Sequence, residues 1–290
     1  MTYCVAMSVS DGLVFLSDTR TNAGVDHVST FRKMAVFEQP GERVLVLMTA
    51  GNLALTQSVV QLLTEPTHPG GQTLWTVPTM FEAARLIGEA VREVYKQHAA
   101  ALQEFNVEFN CSFLLGGQIH GQKMRLFQIY AAGNFIEAST MNPYFQIGEA
   151  KYGKPIIDRV IEPSTPLDEL AKCALISMDS TLRSNVSVGL PLDLLVYEKD
   201  SLRVTKYALI DHTNEYYQMI HSTWGERLRQ VFAEIPDPKW TSSPQSVPAG
   251  ERSFKVEAPP RADMPIAGDI ELVPTPAQTL AQEAPPLRDA

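Results

Sequence analysis

Met1-Thr2-Tyr3-Cys4-Val5-Ala6-Met7-Ser8-Val9-Ser10-Asp11-Gly12-Leu13-Val14-Phe15-Leu16-Ser17-Asp18 opens the chain. Two apolar runs, Tyr3 to Val9 and Leu13 to Ser17, flank the turn-forming triplet Ser10-Asp11-Gly12. This spacing predicts a β-hairpin. Two more strands are expected at Lys33 to Glu38 and Arg43 to Thr49, joined around Pro40-Gly41. Val44-Leu45-Val46-Leu47-Met48 is apolar on both alternating faces, as in a strand covered on both sides.

Helical periodicity takes over after Asn52, a residue suited to cap a helix with the stripe Leu55, Val59, Leu62 and Leu63. A Pro- and Gly-rich loop follows. Thr79-Met80-Phe81-Glu82 reads as a capping box opening a long helix that carries Ala83, Ile87, Val91 and Val94 on one face. Strands return at Phe109 to Gly116, Lys123 to Ala131 and Asn134 to Glu137. A helical stretch is expected after Gly148. A second helix has Thr165 as cap, Pro166 in its first turn, and Leu167, Leu170, Ala174, Met178 and Leu182 on its stripe. Strands Leu190 to Tyr197 and Leu202 to Ile210 precede a closing helix with Tyr217, Ile220, Trp224 and Leu228. Doubly covered antiparallel strands alternating with helix pairs predict an α+β fold, a four-layer αββα sandwich.

The chain has 290 residues, 44% apolar and 20% charged, ample for a sizeable core. Its net charge of −9 argues against non-specific nucleic-acid binding, which needs Lys and Arg to neutralise phosphates. Cys4, Cys111 and Cys173 are too few and too scattered for a disulfide framework or a thiolate metal site. No apolar run reaches membrane-spanning length, and the first residues lack the basic region of a secretory signal. The expectation is a soluble cytoplasmic protein. Near Ile235 the composition changes: 11 of the 20 prolines fall in the last 55 residues. The expected division is a folded domain over 1–235 and a disordered Pro-rich tail over 236–290, unable to offset its ordering entropy by burial. A short docking motif around Ile270-Glu271-Leu272-Val273 is weighed against a plain tail, which is the simpler reading.

The chemistry-bearing feature is Thr2. Once the initiator Met1 is removed, Thr2 carries a hydroxyl and a free α-amine. An α-amine has a pKa of about 7.7–8.0, so part of it is an unprotonated base near neutrality. It can take the hydroxyl proton directly or through one water. Ser17-Asp18-Thr19-Arg20 closes the second strand, which hairpin pairing returns beside the start of the first. Lys33 opens the third strand. A lysine beside the hydroxyl favours the alkoxide, and Asp18 would keep that lysine charged and oriented. In isolation an ordinary surface ion pair explains Asp18 and Lys33 as well. Thr49-Ala50-Gly51-Asn52 joins a buried strand to a helix start, where the Gly51 N–H and the helix dipole suit an oxyanion. A glycine needed only for a sharp turn is the alternative, and both readings hold together.

Taken together, Met1-Thr2-Tyr3-Cys4-Val5-Ala6, Ser17-Asp18-Thr19-Arg20-Thr21-Asn22-Ala23-Gly24-Val25-Asp26, Phe31-Arg32-Lys33-Met34 and Thr49-Ala50-Gly51-Asn52-Leu53 resemble Anbu. This is a bacterial proteasome-like family related to proteasome β subunits and HslV. The resemblance implies the N-terminal-nucleophile hydrolase fold. It also implies Thr2 as nucleophile, Asp18 and Lys33 as the activating pair, Arg20 bracing the Asp18 loop, and Gly51 supplying the oxyanion N–H. It further implies a peptide or protein substrate and a homo-oligomer, either a ring or an open spiral.

The sequence departs from the wider proteasome pattern in three places. Lys33 lies one residue closer to the threonine than usual, a difference that a bulge absorbs. Gly-Ser-Gly is replaced by Gly148-Glu149-Ala150, so a serine that normally touches the threonine amine is missing. Asp-x-x-Ser-Gly is replaced by Ser184-Asn185-Val186-Ser187, with the glycine delayed to Gly189. Ser187, with Ser184 and Asn185 in support, stays a candidate. These losses bear on the efficiency of peptide hydrolysis more than on the fold.

Other motifs carry less. Asn185-Val186-Ser187-Val188-Gly189 lacks the first glycine of a nucleophile elbow. The six histidines show no metal-ligand spacing. No phosphate loop is present, so neither ATP nor another cofactor is implied. Cys4 reads as strand packing. The leading expectation is a self-assembling threonine peptidase acting through an acyl-enzyme. The alternatives are a catalytically weak assembly or binding protein and a non-peptidase amidase on the same fold.

Overall fold

A computed structural model describes residues 2–23, 27–66, 68 and 70–239. The chain divides into two units, Met1–Ile235 and Pro236–Ala290. Of the second unit, only residues 236–239 are described, exposed and without regular structure. The expected tail disorder, the Ile270–Val273 motif and the state of Met1 lie outside the described residues.

The opening hairpin is present. β1 (Tyr3–Val9) and β2 (Gly12–Asp18) pair antiparallel, with Val9 opposite Gly12 and Cys4 opposite Ser17. A ribbon of β3 (Arg20–Ala23) and β4 (His27–Thr30) follows. The sequence reading has no strands there, because Arg20-Thr21-Asn22-Ala23 carries no apolar alternation. β5 (Met34–Gln39) and β6 (Arg43–Gly51) then lead into α1 (Leu53–Thr64) and α2 (Met80–Glu104). Asn52 caps α1 by accepting from the Ala54 and Leu55 N–H groups. Thr79 caps α2 by accepting from the Glu82 N–H, while the Glu82 carboxylate turns to Arg85.

The second half runs β7 (Cys111–Ile119), β8 (Arg125–Ile129), β9 (Phe135–Glu137), β10 (Tyr144–Gly148), α3 (Lys154–Val160), α4 (Leu167–Ser184), β11 (Leu192–Glu198), β12 (Lys206–Ile210) and α5 (Glu215–Glu234). The sequence reading lacks β10, whose Tyr144-Phe145-Gln146-Ile147 has no clean alternation. The cap of α4 is Pro166 rather than Thr165. The Thr165 hydroxyl instead accepts the Glu162 N–H and closes the turn before the helix.

The strands form two antiparallel five-stranded sheets, ordered β10-β1-β2-β11-β12 and β5-β6-β7-β8-β9. Three apolar clusters define the layers. Leu55, Val59, Leu63, Ile87, Val91 and Val94 pack α1 and α2 on the outer face of the β5–β9 sheet. Leu170, Ala174, Met178, Tyr217 and Ile220 pack α4 and α5 on the outer face of the other. Cys4, Leu13, Phe15, Val44, Val46, Met48 and Leu195 fill the space between the sheets. The arrangement is αββα, and β1, with neighbours on both sides, lies inside its sheet.

Of the expected α5 stripe, Tyr217 and Ile220 are buried, Trp224 is half-buried, and Leu228 is exposed. The helix therefore leaves the core in its second half. The sheets approach closely at Gly116, where a Cβ would come within 2.7 Å of the Phe15 ring. Truncating that fully buried ring opens a cavity between two packed sheets. Phe15→Ala is expected to cost about 3–5 kcal/mol. Urea unfolding monitored by circular dichroism measures it, and a loss below about 1 kcal/mol would contradict this packing.

Candidate active site

Thr2 stands one residue ahead of β1 and is held through its backbone from both sides. The Tyr3 N–H donates to Asp18 Oδ1 at 3.0 Å on the β2 side. On the β10 side the Glu149 N–H donates to the Thr2 carbonyl at 2.7 Å. That approach depends on Gly148, whose φ is +81° and whose Cβ would lie 1.9 Å from the Thr2 oxygen. No other side chain fits there.

Lys33 precedes β5 and turns inward. Its Nζ lies 2.8 Å from Asp18 Oδ1 and donates to the Arg20 carbonyl at 2.5 Å. Both side chains are buried. Burial pushes the Asp18 carboxyl above the usual carboxylate range; Lys33 and the N–H groups of Tyr3 and Gly189 oppose the shift without cancelling it. Thr19, next along the chain, is fixed by two bonds to the Pro191 carbonyl, from its N–H at 3.1 Å and its hydroxyl at 2.7 Å.

Thr2 and Lys33 line one cleft of about 450 Å³, together with Thr49, Gly51, Ser112 and Gly148. Gly51 ends β6 with φ +113°, and a Cβ there would lie 2.3 Å from the Asn110 carbonyl. That carbonyl accepts the Asn52 N–H at 2.8 Å, so strand end and helix start share one anchor. A larger recess of about 720 Å³ adjoins the cleft and shares Thr49 and Thr56 with it.

Thr2, Asp18, Lys33 and Gly51 therefore come together. The other expected residues stand further out. The Arg20 guanidinium donates to the Val186 carbonyl at 2.8 Å and lies against Gly189. Its side chain thus reaches the turn after α4, whose Gly189 N–H in turn meets Asp18, while its carbonyl accepts from Lys33. Ser184 is exposed at the last turn of α4, and Ser187 does not line the cleft. Asn185 Oδ1 accepts the Ser187 N–H at 2.9 Å, and its Nδ2 donates to Glu149 Oε2 at 2.9 Å.

Asn110 and Ser112 were given no place in the site from the sequence, and Glu149 was noted only as the residue that stands where a serine is missing. The signal for Glu149 was present in Gly148-Glu149, but its place opposite Thr2 follows from β10. Among the described residues no group of three or more His, Cys, Asp or Glu is arranged to hold a metal ion. No helix among them is long and apolar enough to cross a membrane.

An αββα sandwich with the chain's second residue seated in a cleft at one end of the two sheets defines a fold of the N-terminal-nucleophile hydrolase type. Comparison with solved structures narrows this. Anbu (ancestral beta-subunit) from Yersinia bercovieri is 55% identical over 82% of this chain and 99% of its own, with a TM-score of 0.76. A Gly-1 mutant of Anbu from Hyphomicrobium sp. strain MC1 is 49% identical over 82% of this chain and all of its own, at 0.77. The helical assembly of the Anbu complex from Pseudomonas aeruginosa is 47% identical over 83% of this chain and all of its own, at 0.79. The chain belongs to the Anbu family, the proteasome-like ancestral beta-subunits. No protein-family model matches it, and a search of curated proteins also finds no match.

Two substitutions test the geometry. Lys33→Met leaves Asp18 buried without its cation, a loss expected to be about 3–5 kcal/mol near neutral pH. The carboxyl pKa then lies above its unfolded value. Its contribution to stability is full below that unfolded value and fades as pH rises through the folded one. The deficit against wild type should shrink on acidification, and a pH-independent deficit in urea unfolding would contradict the assignment. Gly51→Ala strains a positive φ and meets the Asn110 carbonyl, so it should destabilise the fold by about 1–3 kcal/mol.

Proposed function

We propose that this chain is a threonine-type hydrolase that cleaves amide bonds, with peptides or proteins as substrate, and that Thr2 is its nucleophile once Met1 is removed. The observation that carries the reading is the meeting of Thr2, the buried Lys33–Asp18 pair and Gly51 at one cleft. The free α-amine takes the Thr2 hydroxyl proton and becomes an ammonium as Oγ bonds to the substrate carbonyl carbon. Lys33 favours the developing alkoxide, and Asp18 keeps Lys33 oriented. The carbonyl π pair moves to oxygen, and the Gly51 N–H holds the oxyanion. When the C=O reforms, the C–N bond breaks and the leaving nitrogen takes the proton from the ammonium. Water, deprotonated by the same amine, then attacks the ester and restores the Thr2 hydroxyl. The adjoining recess leaves room for a substrate side chain.

Homo-oligomerisation belongs to this reading. The Pseudomonas aeruginosa relative forms a helical assembly, which supports a multi-subunit particle for this chain too. The 236–290 region is then an accessory to the 1–235 domain rather than part of its chemistry.

Intact mass before and after a β-lactone tests the activity. The expected result is loss of one methionine and then a single adduct, absent in Thr2→Ala. A retained Met1, or a free Thr2 that never reacts, would sink the hydrolase reading and favour a fold kept for assembly. Assayed on peptides and small amides, Thr2→Ala should lose at least about a hundredfold in turnover.

A further inference from the structure

Lys33 reaches Asp18 from a segment that is not itself a strand. Phe31-Arg32-Lys33 crosses from β4 to β5. The Phe31 N–H donates to the Thr19 carbonyl at 2.7 Å, and the Lys33 carbonyl accepts the Thr49 N–H at 3.0 Å. Arg32 lies between these two bonds and is held through its side chain. Its Nη1 donates to the Tyr207 hydroxyl at 3.1 Å and stands 3.8 Å from Asp193 Oδ1. The Tyr207 hydroxyl donates to that same carboxylate oxygen. Burial and the Asp193 carboxylate push the Tyr207 pKa up, so the hydroxyl keeps the proton it donates. These contacts close one side of a groove of about 320 Å³ between β5 and the β11–β12 pair.

The sheet register sets the two carboxylates side by side. Across β2 and β11, Asp18 pairs with Leu192 and Ser17 with Asp193. Two consecutive cations, Arg32 and Lys33, therefore end on two carboxylates one register step apart on neighbouring strands. Packing alone does not account for Asp193. It interrupts Leu192-Asp193-Leu194-Leu195-Val196, and its side chain is 1% exposed. Its Oδ2 has no hydrogen-bond partner among the described residues. A leucine in that place would be buried without such a cost. The Arg32 side chain, 60% exposed and 3.8 Å away, offsets the charge weakly. A carboxylate kept on these terms serves something other than stability.

We infer that Asp193 is a positioning residue for Lys33, acting through Tyr207 and Arg32. Asp193 orients the Tyr207 hydroxyl, and the two together fix the guanidinium of the residue next to Lys33. The Lys33 ammonium is then presented to Asp18 Oδ1 at 2.8 Å and to the Arg20 carbonyl at 2.5 Å. Released at Arg32, the crossing segment gains slack just ahead of Met34, where pairing with Met48 begins. The catalytic meaning of this chain of contacts rests on the hydrolase reading. The seating of Lys33 does not, and it can be measured without turnover.

The test reads Lys33 directly. Full-length wild type, Tyr207→Phe, Asp193→Asn, Arg32→Ala and the Tyr207→Phe/Arg32→Ala double variant are acylated with trace N-hydroxysuccinimidyl acetate. Labelling of each lysine is followed by peptide mass spectrometry. Lys33 is the one buried lysine among the described residues, so in wild type it should label slowly. Tyr207→Phe keeps the ring and removes the hydroxyl; it should raise Lys33 labelling about tenfold. Arg32→Ala should give a similar rise, and the double variant no more than either alone, as for members of one contact chain. Asp193→Asn should raise it as well. Thiol labelling of the buried Cys111 and Cys173 should stay at the wild-type level. In the β-lactone reaction Tyr207→Phe should lower the maximal rate about tenfold at an unchanged half-saturating concentration. Lys33 labelling that stays at the wild-type level in Tyr207→Phe and Arg32→Ala would overturn the inference. So would effects of the two that simply add, equal rises at Cys111 and Cys173, or a maximal lactone rate unchanged although Lys33 is released. Should Asp193→Asn fail to fold, the half-exposed Tyr207 and exposed Arg32 carry the decision. A wild type that never reacts with the lactone counts against the hydrolase reading alone, and the Lys33 labelling still decides the seating.

Discussion

One carboxylate oxygen, Asp18 Oδ1, ties the start of β1 to the segment ahead of β5. It accepts the backbone N–H of Tyr3 and lies against the ammonium of Lys33. The first bond fixes where β1 begins; the second draws the segment before β5 across to the other sheet. A buried ion pair adds little net stability over a well-packed apolar pair. Its value here is geometric, since neither group has a comparable alternative partner once the sheets have closed over it. The surrounding backbone follows suit: Thr19 is tied to the Pro191 carbonyl, and Lys33 both accepts from the Thr49 N–H and donates to the Arg20 carbonyl.

The sandwich explains why four sequence-distant residues meet at one end. The inter-sheet core around Phe15, Val46 and Leu195 aligns the sheets. The ends of β2 and β6, the starts of β1 and β5, and the turn after β10 then open on one rim. Two glycines make the rim tight. Gly148 lets the backbone after β10 reach the Thr2 carbonyl, and Gly51 lets β6 turn against Asn110. Neither position tolerates a Cβ, so the cleft is built as much from absent side chains as from present ones.

Much of this was legible in residue order. The hairpin, the doubly covered Val44–Met48 strand and the caps at Asn52 and Thr79 each rest on a local rule of spacing or turn chemistry, and each stands as read. So do Thr2, Asp18, Lys33 and Gly51 as residues of one cleft neighbourhood. What escaped were features set by partners rather than by pattern. The β3–β4 ribbon is polar, and β10 is short, with Gln146 interrupting its apolar residues. Missing β10 removed the frame that sets Glu149 opposite Thr2. The contact of Arg20 with the Val186 carbonyl was not legible either, because a side chain's direction at a strand start is decided by tertiary contact. The α5 stripe shows the converse: periodicity promised burial as far as Leu228, and no neighbouring layer reaches it.

The tie between Thr19 and Pro191 bears on the order of events in the cell. Ribosomes deliver the amino terminus first, and the strand that steadies Asp18 arrives 172 residues later. A young chain therefore carries its threonine past every neighbouring polypeptide before the supports of that threonine exist. The surroundings of Thr2 are thus completed last, when the late strands dock beside β2.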